Sequence, residues 1–269
     1  MLKLCISSIL KNSRYSHQII LHINEGIDGS YEWAKTNEIT HTYSTNNVGV
    51  CHAVNRAASL AATNYIVYIN DDMYLCPDWD YQLWRVIEKQ PDNLFFLSAT
   101  TIEPRDVRKD VTIAPYNFGT TPENFKESEL LQQYKDFPMN DWSGASWPPN
   151  LVHRSLWEKV GGYSTEFFPG FYSDPDFSMK LWQAGVRRFI GVAESRAYHF
   201  LEISTAKIGR ESIRNGRKLF LKKWNITSRV FYRYYLRMGK KSPQLLIKPR
   251  SIAYYFDCLL CLIKKQFCC

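Results

Sequence analysis

The sequence feature that most constrains the fold is a short strand that is apolar at every position and ends in two acidic residues. Residues 65–69 read YIVYI, and Asn70, Asp71 and Asp72 follow them directly. A strand without polar alternation is expected in the middle of a parallel sheet that is covered on both faces. Such sheets bind their ligands beyond the carboxyl ends of the strands. The sequence therefore predicts a binding site at this edge of the sheet.

Helix and strand patterns alternate along the first part of the chain. Residues 18–24 (QIILHIN) and 39–43 have strand patterns, and residues 31–36 and 50–62 have helix patterns. An amphipathic helix is predicted before them, at residues 2–10. Because helices separate successive strands, we expect βαβ units and an α/β fold with a mainly parallel sheet flanked by helices.

The length and composition predict one main domain with an appendage. The 269 residues, 45% of them hydrophobic, suffice for one full α/β core. We expect this domain over residues 1–205 and a basic, aromatic-rich helical region over residues 206–269. No window approaches the roughly 20 apolar residues of a spanning helix, and the first residues lack a secretion signal. A cytoplasmic location is therefore expected, with the seven scattered cysteines as free thiols.

Asp71 and Asp72 have two explanations. Carboxylates at a strand's carboxyl end are suited to hold Mg²⁺ or Mn²⁺ against a diphosphate. Paired aspartates after a strand also form turns through side-chain hydrogen bonds to the backbone. Both explanations remain open from these residues alone.

Asp174 and His199 are further candidates for chemistry. Asp174 precedes Pro175 and an apolar helix, so it is suited to cap that helix. As a carboxylate it is also suited to act as the general base that takes a proton from an attacking hydroxyl. His199 follows a predicted strand and is either a structural histidine or an imidazole ligand of a cation.

Segments spread over residues 2–200 resemble, in order, the motifs of the family 2 inverting glycosyltransferases. They are residues 19–30 (IILHINEGIDGS), Asn47 with Gly49 and Asn55, residues 65–72 (YIVYINDD), residues 160–163 (VGGY) and residues 173–185 (SDPDFSMKLWQAG). The resemblance implies a GT-A-like fold, that of the nucleotide-diphospho-sugar transferases. It also implies transfer of a sugar, with inversion, from a nucleotide-sugar donor, most commonly a UDP sugar, to an acceptor hydroxyl. A glycan or lipid-linked glycan is the expected acceptor.

The resemblance also assigns roles to single residues. Asp174 corresponds to the catalytic base, Asp72 to the metal-binding carboxylate and His199 to the histidine near the Mg²⁺ or Mn²⁺ ion. The positions that correspond to the nucleotide-sugar site are Glu25, Asp28, Asn47, Asn55 and Asp71. The positions expected near the acceptor are Trp142, Trp147, Phe171, Tyr172 and Asp176, although a core role for two of the four aromatic residues is an alternative.

Three departures from the family pattern favour a second interpretation. Asn70 stands where the first aspartate is usual, and Ser173 stands in place of a glutamate beside the base. The first strand of the family has no counterpart, since Met1 is predicted to lie in the helix that follows this strand. We therefore expect either that the start codon is assigned too far downstream or that the domain is truncated. The alternative function is therefore a degenerate module that binds a sugar or nucleotide without catalysis.

The basic residues are concentrated near the C-terminal end of the chain. Residues 207–250 contain 14 lysines and arginines and a single acid, Glu211. Arg229, Arg233 and Arg237 recur every four residues, which predicts one basic helical face beside aromatic residues. An anionic membrane surface is the expected partner of this region, and helices packed on the main domain are the alternative. No recognition motif accompanies these residues, so no nucleic-acid partner is expected.

Overall fold

The computed structural model describes residues 1–104, 112–137, 139–201, 209–241 and 245–267. The helices are α1 (Leu2–Asn12), α2 (Ser30–Thr36), α3 (Gly49–Ala58), α4 (Trp79–Ile87), α5 (Glu127–Gln133), α6 (Arg154–Val160), α7 (Ser173–Gln183), α8 (Arg210–Trp224), α9 (Ser228–Val230) and α10 (Ile252–Gln266). The strands are β1 (Ile20–Asn24), β2 (Thr40–Ser44), β3 (Tyr65–Tyr68), β4 (Met73–Leu75), β5 (Phe95–Glu103), β6 (Ile113–Pro115), β7 (Trp142–Ser143), β8 (Asn150–His153) and β9 (Arg188–His199).

The main sheet is mixed. Its order is β3-β8-β5-β9-β4, with β6 added to β5 and β7 added to β9. Strand β5 runs parallel to β6 and β9, whereas β3–β8, β5–β8, β4–β9 and β7–β9 are antiparallel. The predicted α/β fold with a helix-flanked sheet is confirmed, but the expectation of a mainly parallel sheet is corrected. An apolar run shows that a strand is buried and does not show the direction of its neighbour.

Strands β1 and β2 form a separate sheet. They pair in parallel, with Ile23 opposite Tyr43, and the structure shows no ladder between them and β3 within its described residues. Ile19 instead packs against the cluster that includes Tyr65 and Val67. The small sheet therefore joins the large one through side chains and through α3.

The core lies on both faces of the main sheet. Strand β5 (FFLSATTIE) is buried at every position, including its polar residues Ser98, Thr100, Thr101 and Glu103. On one face, α1 and α4 cover Phe95 and Leu97 with a cluster that includes Cys5 and Leu83. On the other face, Phe96 packs with residues of α6 and α7 and with the C-terminal helices.

The segment after α8 packs on the main domain. Val230, Phe231 and Leu236 are buried in the same cluster as Phe96. The predicted basic helix through Arg229, Arg233 and Arg237 is corrected, because residues 231–235 form a π-helical turn and Arg233 pairs with Asp257 of α10 at 3.4 Å. The segment therefore follows the alternative stated from the sequence, in which this region packs on the main domain.

In the part of the chain that the structure describes, no helix has the length and apolar character needed to cross a membrane. The five cysteines of that part are free thiols. Cys268 and Cys269 lie outside the described residues.

Candidate active site

Asp72 lies beside His199 because two strands pair there. The turn at Asp71 and Asp72 leads from β3 into β4, and β4 pairs with β9 so that Met73 lies opposite His199. The Phe200 amide donates to the Asp72 carbonyl at 3.0 Å. The His199 Nε2 atom is 3.3 Å from Asp72 Oδ2. The predicted pair of metal ligands is thus brought together.

Glu103, at the end of β5, contacts the other nitrogen of the His199 ring. The distance from His199 Nδ1 to Glu103 Oε1 is 3.1 Å. Burial alone would lower the pKa of His199, but hydrogen bonds and charge interactions with Asp72 and Glu103 outweigh it and raise the pKa to about 9. At neutral pH the imidazolium ion therefore lies between two carboxylates.

The donor set at this edge fits a divalent cation in part. Asp72 offers carboxylate oxygens and His199 offers Nε2 after it loses its proton, while Glu103 fixes the ring as carboxylates do behind metal-bound histidines. No group of three or more metal-ligating side chains occurs among the described residues. A cation held by Asp72 and His199 would therefore take its remaining ligands from diphosphate and water.

Asp174 lies in the first turn of α7, and the predicted capping role is corrected, because the N-cap residue is Tyr172 and no side chain caps the helix. The Tyr163 hydroxyl donates to Asp174 Oδ1 at 3.2 Å. Asn55 fixes Tyr163, since its amide accepts from the Tyr163 N–H at 2.8 Å and donates to the Tyr163 carbonyl at 2.7 Å. Gly162 permits this approach, because a Cβ atom there would lie 2.3 Å from Asn55 Oδ1. The described contacts of Asn55 therefore position Asp174 through Tyr163.

Tyr68 connects the two acidic groups. Its ring contacts that of Tyr163 edge-on at 5.8 Å. Burial raises the pKa of the Tyr68 phenol well above its usual value, and the charges of Asp174, Asp71 and Asp72 raise it further. Tyr68 thus lies between Tyr163, which contacts the predicted base Asp174, and the turn after β3 that carries Asp71 and Asp72.

The predicted nucleotide residues Glu25, Asp28 and Asn47 lie in exposed turns after β1 and β2. Because β1 and β2 are parallel, both turns are at the same edge of the small sheet. Asp28 Oδ1 accepts from the Ser30 amide at 3.0 Å, and hydrogen bonds from the Ser30 side chain and from its amide lower the pKa of Asp28. Asn47 closes its turn through the Gly49 amide at 2.9 Å.

The predicted acceptor aromatics divide into core and surface residues. Trp142 is fully buried, and its Nε1 atom donates to the Thr100 hydroxyl at 3.0 Å. Its ring packs against the backbone of Gly191, where a side chain would overlap it. Its predicted contact with the acceptor is corrected to a core role. Trp147 is half-buried and stacks on Trp142 with ring centroids 5.7 Å apart. Phe171 and Tyr172 are also half-buried.

Asp176 has a structural role in place of the predicted acceptor contact. Its side chain is fully buried and lies 2.9 Å from Lys223 Nζ of α8. The Trp224 indole donates to the same Oδ1 atom at 2.8 Å. A carboxylate without solvent exposure cannot contact a diffusing acceptor, and its partners show that it joins α7 to α8.

Sequence reasoning missed Glu103, Tyr68 and Tyr163 as site residues. Glu103 was detectable, because it is an acid at the carboxyl end of a buried strand, as Asp72 is. Tyr68 and Tyr163 lie inside recognised motifs, but nothing in the sequence indicates that their side chains point to the carboxylates.

Comparison with known proteins gives a family match. The sequence profile of Glycosyl transferase family 2 matches residues 1–146, which is more than half of the chain. No curated protein matches the chain.

Several solved structures share the fold. A structure of GalNAc-T7 with UDP, GalNAc and Mn²⁺ superposes with a TM-score of 0.59 at 14% identity, covering 86% of this chain and 47% of that one. A structure of S. aureus TarS 1-349 with UDP gives a TM-score of 0.56 at 12% identity, with coverages of 82% and 61%. The chain thus spans less than two thirds of either relative.

Proposed function

Because the chain belongs to glycosyl transferase family 2, we propose that it transfers a sugar, with inversion, from a nucleotide-sugar donor to an acceptor hydroxyl. The observation that carries the proposal is the series of contacts from Asp174 through Tyr163 to Tyr68, whose strand β3 leads into the Asp71-Asp72 turn. A base and a diphosphate-binding edge are both needed for sugar transfer, and this series of contacts supports assigning the two roles to Asp174 and to the Asp71-Asp72 turn.

Asp174 acts as the base in this proposal. Its carboxylate takes the proton of the acceptor hydroxyl while the acceptor oxygen forms a bond to the anomeric carbon. The bond from that carbon to the diphosphate oxygen breaks, and its electron pair leaves with the nucleoside diphosphate. Attack opposite to the leaving group inverts the configuration. The Tyr163 hydroxyl, at 3.2 Å, holds the carboxylate in position.

Asp72 and His199 would hold a divalent cation, Mg²⁺ or Mn²⁺, whose positive charge offsets the negative charge on the leaving diphosphate. Glu103 orients the His199 ring from the opposite side, at 3.1 Å. His199 must release its proton before Nε2 can serve as a ligand.

A UDP sugar is the proposed donor. The GalNAc-T7 and TarS structures of the same fold both contain UDP, which supports this choice. Glu25, Asp28 and Asn47 are proposed to contact the nucleoside, because their turns share one edge of the small sheet. Trp147, Phe171 and Tyr172 are proposed to flank the acceptor, a glycan or a lipid-linked glycan, since aromatic faces suit sugar rings.

The test is nucleoside diphosphate release from a panel of sugar nucleotides with glycan acceptors, with Mn²⁺ and with chelator. Asp72→Asn and Asp174→Asn are compared with wild type, and Asp136→Asn, at an exposed acid, is the control. We expect release by wild type and the control only, and only with the cation. Donor binding without release by any form would replace the proposal with the degenerate binding module.

A further inference from the structure

The outward side of α10 is a large exposed apolar surface. Its exposed apolar side chains are Ile252, Tyr255, Phe256, Leu259, Leu260, Leu262, Ile263 and Phe267. At about 100° per residue, all eight fall on one half of the helix circumference. Soluble proteins seldom leave a continuous apolar surface of this kind uncovered, and such surfaces mark interaction sites. These eight side chains are termed the α10 outward face.

The opposite side of α10 fixes the helix against the protein. Tyr254 and Cys261 are buried in the main cluster, and the Tyr254 hydroxyl is 2.7 Å from that of Tyr235. Lys265 Nζ donates to Asn225 Oδ1 at 2.6 Å. Because these contacts set the rotation of the helix, the α10 outward face points away from the protein.

Basic side chains lie at both ends of this face. Lys248 and Arg250 precede the helix and are exposed, and Lys264 is exposed in its last turn. The one acid of the helix, Asp257, accepts from the Tyr234 hydroxyl at 2.7 Å and pairs with Arg233. The exposed charge around the apolar surface is therefore positive.

We propose that the α10 outward face binds the surface of an anionic lipid bilayer. Apolar side chains enter the boundary between headgroups and acyl chains, while basic side chains at the ends meet anionic headgroups. The proposed membrane contact thus lies at α10, next to the residues 207–250 predicted from the sequence, since Val230, Phe231 and Leu236 of that stretch are buried in the core.

A second copy of the chain fits this face less well than a bilayer. Basic residues stand at both ends of α10, so two helices that packed against each other would bring like charges together in either direction. An anionic headgroup layer has the opposite charge at both ends.

The experiment is co-sedimentation of the full chain with vesicles of phosphatidylcholine alone or mixed with phosphatidylserine. Leu259→Glu changes the α10 outward face, and Leu10→Glu introduces the same change at an exposed leucine of α1. We expect wild type and Leu10→Glu to bind the mixed vesicles, and Leu259→Glu to bind about tenfold or more weakly. Lys248→Glu with Arg250→Glu should also weaken binding to the mixed vesicles.

Two results would overturn the proposal. The first is equal vesicle binding by wild type and Leu259→Glu, with circular dichroism showing both folded. The second is no vesicle binding together with a dimer in analytical ultracentrifugation that Leu259→Glu dissociates, which would assign the face to a second copy. Neither result depends on sugar transfer, so the proposal can fail separately from the proposed activity.

Discussion

At the scale of single residues, the two aspartates in the first turn of α7 differ in their exposure to solvent. Asp174 is half-exposed and accepts from Tyr163, whereas Asp176 is fully buried against Lys223 and Trp224. Two positions along a helix correspond to a rotation of about 200°, which points the side chains in opposite directions. Only Asp174 can therefore reach a bound acceptor.

Asp174→Asn should lower kcat by about 10²- to 10⁴-fold, because an amide cannot accept the acceptor proton. The dissociation constant of the donor should change little, since the proposed donor contacts lie elsewhere. Donor binding by calorimetry and turnover by nucleotide release measure the two quantities. Turnover at the rate of the Asp136→Asn control would remove Asp174 from the role of base.

Replacing the two stacked tryptophans should separate stability from acceptor binding. Trp142→Ala empties a fully buried site and should cost about 3–5 kcal/mol in the free energy of unfolding. Trp147→Ala, at a half-buried position, should cost less and should raise the acceptor KM. Urea unfolding and acceptor kinetics test the pair. An unchanged acceptor KM in Trp147→Ala would contradict the contact with the sugar.

At the scale of elements, the buried ion pair between Asp176 and Lys223 joins α7 to α8. Lys223→Met should destabilise the protein by about 3–5 kcal/mol, because it leaves a buried carboxylate without its cation. Lys222→Met, at the exposed neighbouring position, is the matched control and should have little effect. Urea unfolding measures both variants, and equal stabilities would show that Asp176 does not need the ion pair.

Asp80 of α4 anchors the segment that follows α1. Burial alone would raise the pKa of Asp80, but hydrogen bonds from His17 and from the amides of Arg14, Tyr15 and Tyr81 outweigh it and lower the pKa. A lowered pKa gives stability that is present above the unfolded value of about 3.9 and is lost as pH falls through the folded value.

Asp80→Asn should therefore destabilise the protein at pH 7 by about 1–3 kcal/mol. Below the unfolded pKa of about 3.9, the free energy of unfolding of the variant should also fall less steeply with pH than that of wild type, because an asparagine at this position does not bind a proton. Urea unfolding across this range, with Asp136→Asn as control, measures the effect. An acid dependence identical to that of wild type would show that other groups carry it.

Sequence patterns predicted some elements well and others poorly, for physical reasons. Strands β1 to β3 and helices α1, α3 and α7 follow from local periodicity and capping residues. The antiparallel direction of β8 depends on where β5 lies, which no local pattern encodes. The burial of Asp176 and Trp142 depends on α8 and on Gly191, far away in the sequence. The carboxylate site was therefore predictable from motifs, but the roles of its neighbours were not.

At the scale of the whole molecule, the proposed donor site involves two sheets that share no strand pairing among the described residues. Asn47 follows β2 of the small sheet, and Asp72 follows β3 of the large one. A nucleoside diphosphate that contacts both turns would add a connection that the backbone does not supply. Donor binding should therefore stabilise the arrangement of the two sheets.

UDP with Mn²⁺ should accordingly raise the melting temperature of the protein. Ligand at about 100 times its dissociation constant contributes about 2.7 kcal/mol to the native state, and each kcal/mol corresponds to roughly 2–4 °C for a chain of this size. Scanning calorimetry should show the shift in wild type and Asp136→Asn. With chelator or in Asp72→Asn the shift should disappear, because the diphosphate then lacks its positive partner. An equal shift with chelator would instead assign the binding energy to contacts with the nucleoside and leave Asp72 without a role in cation binding.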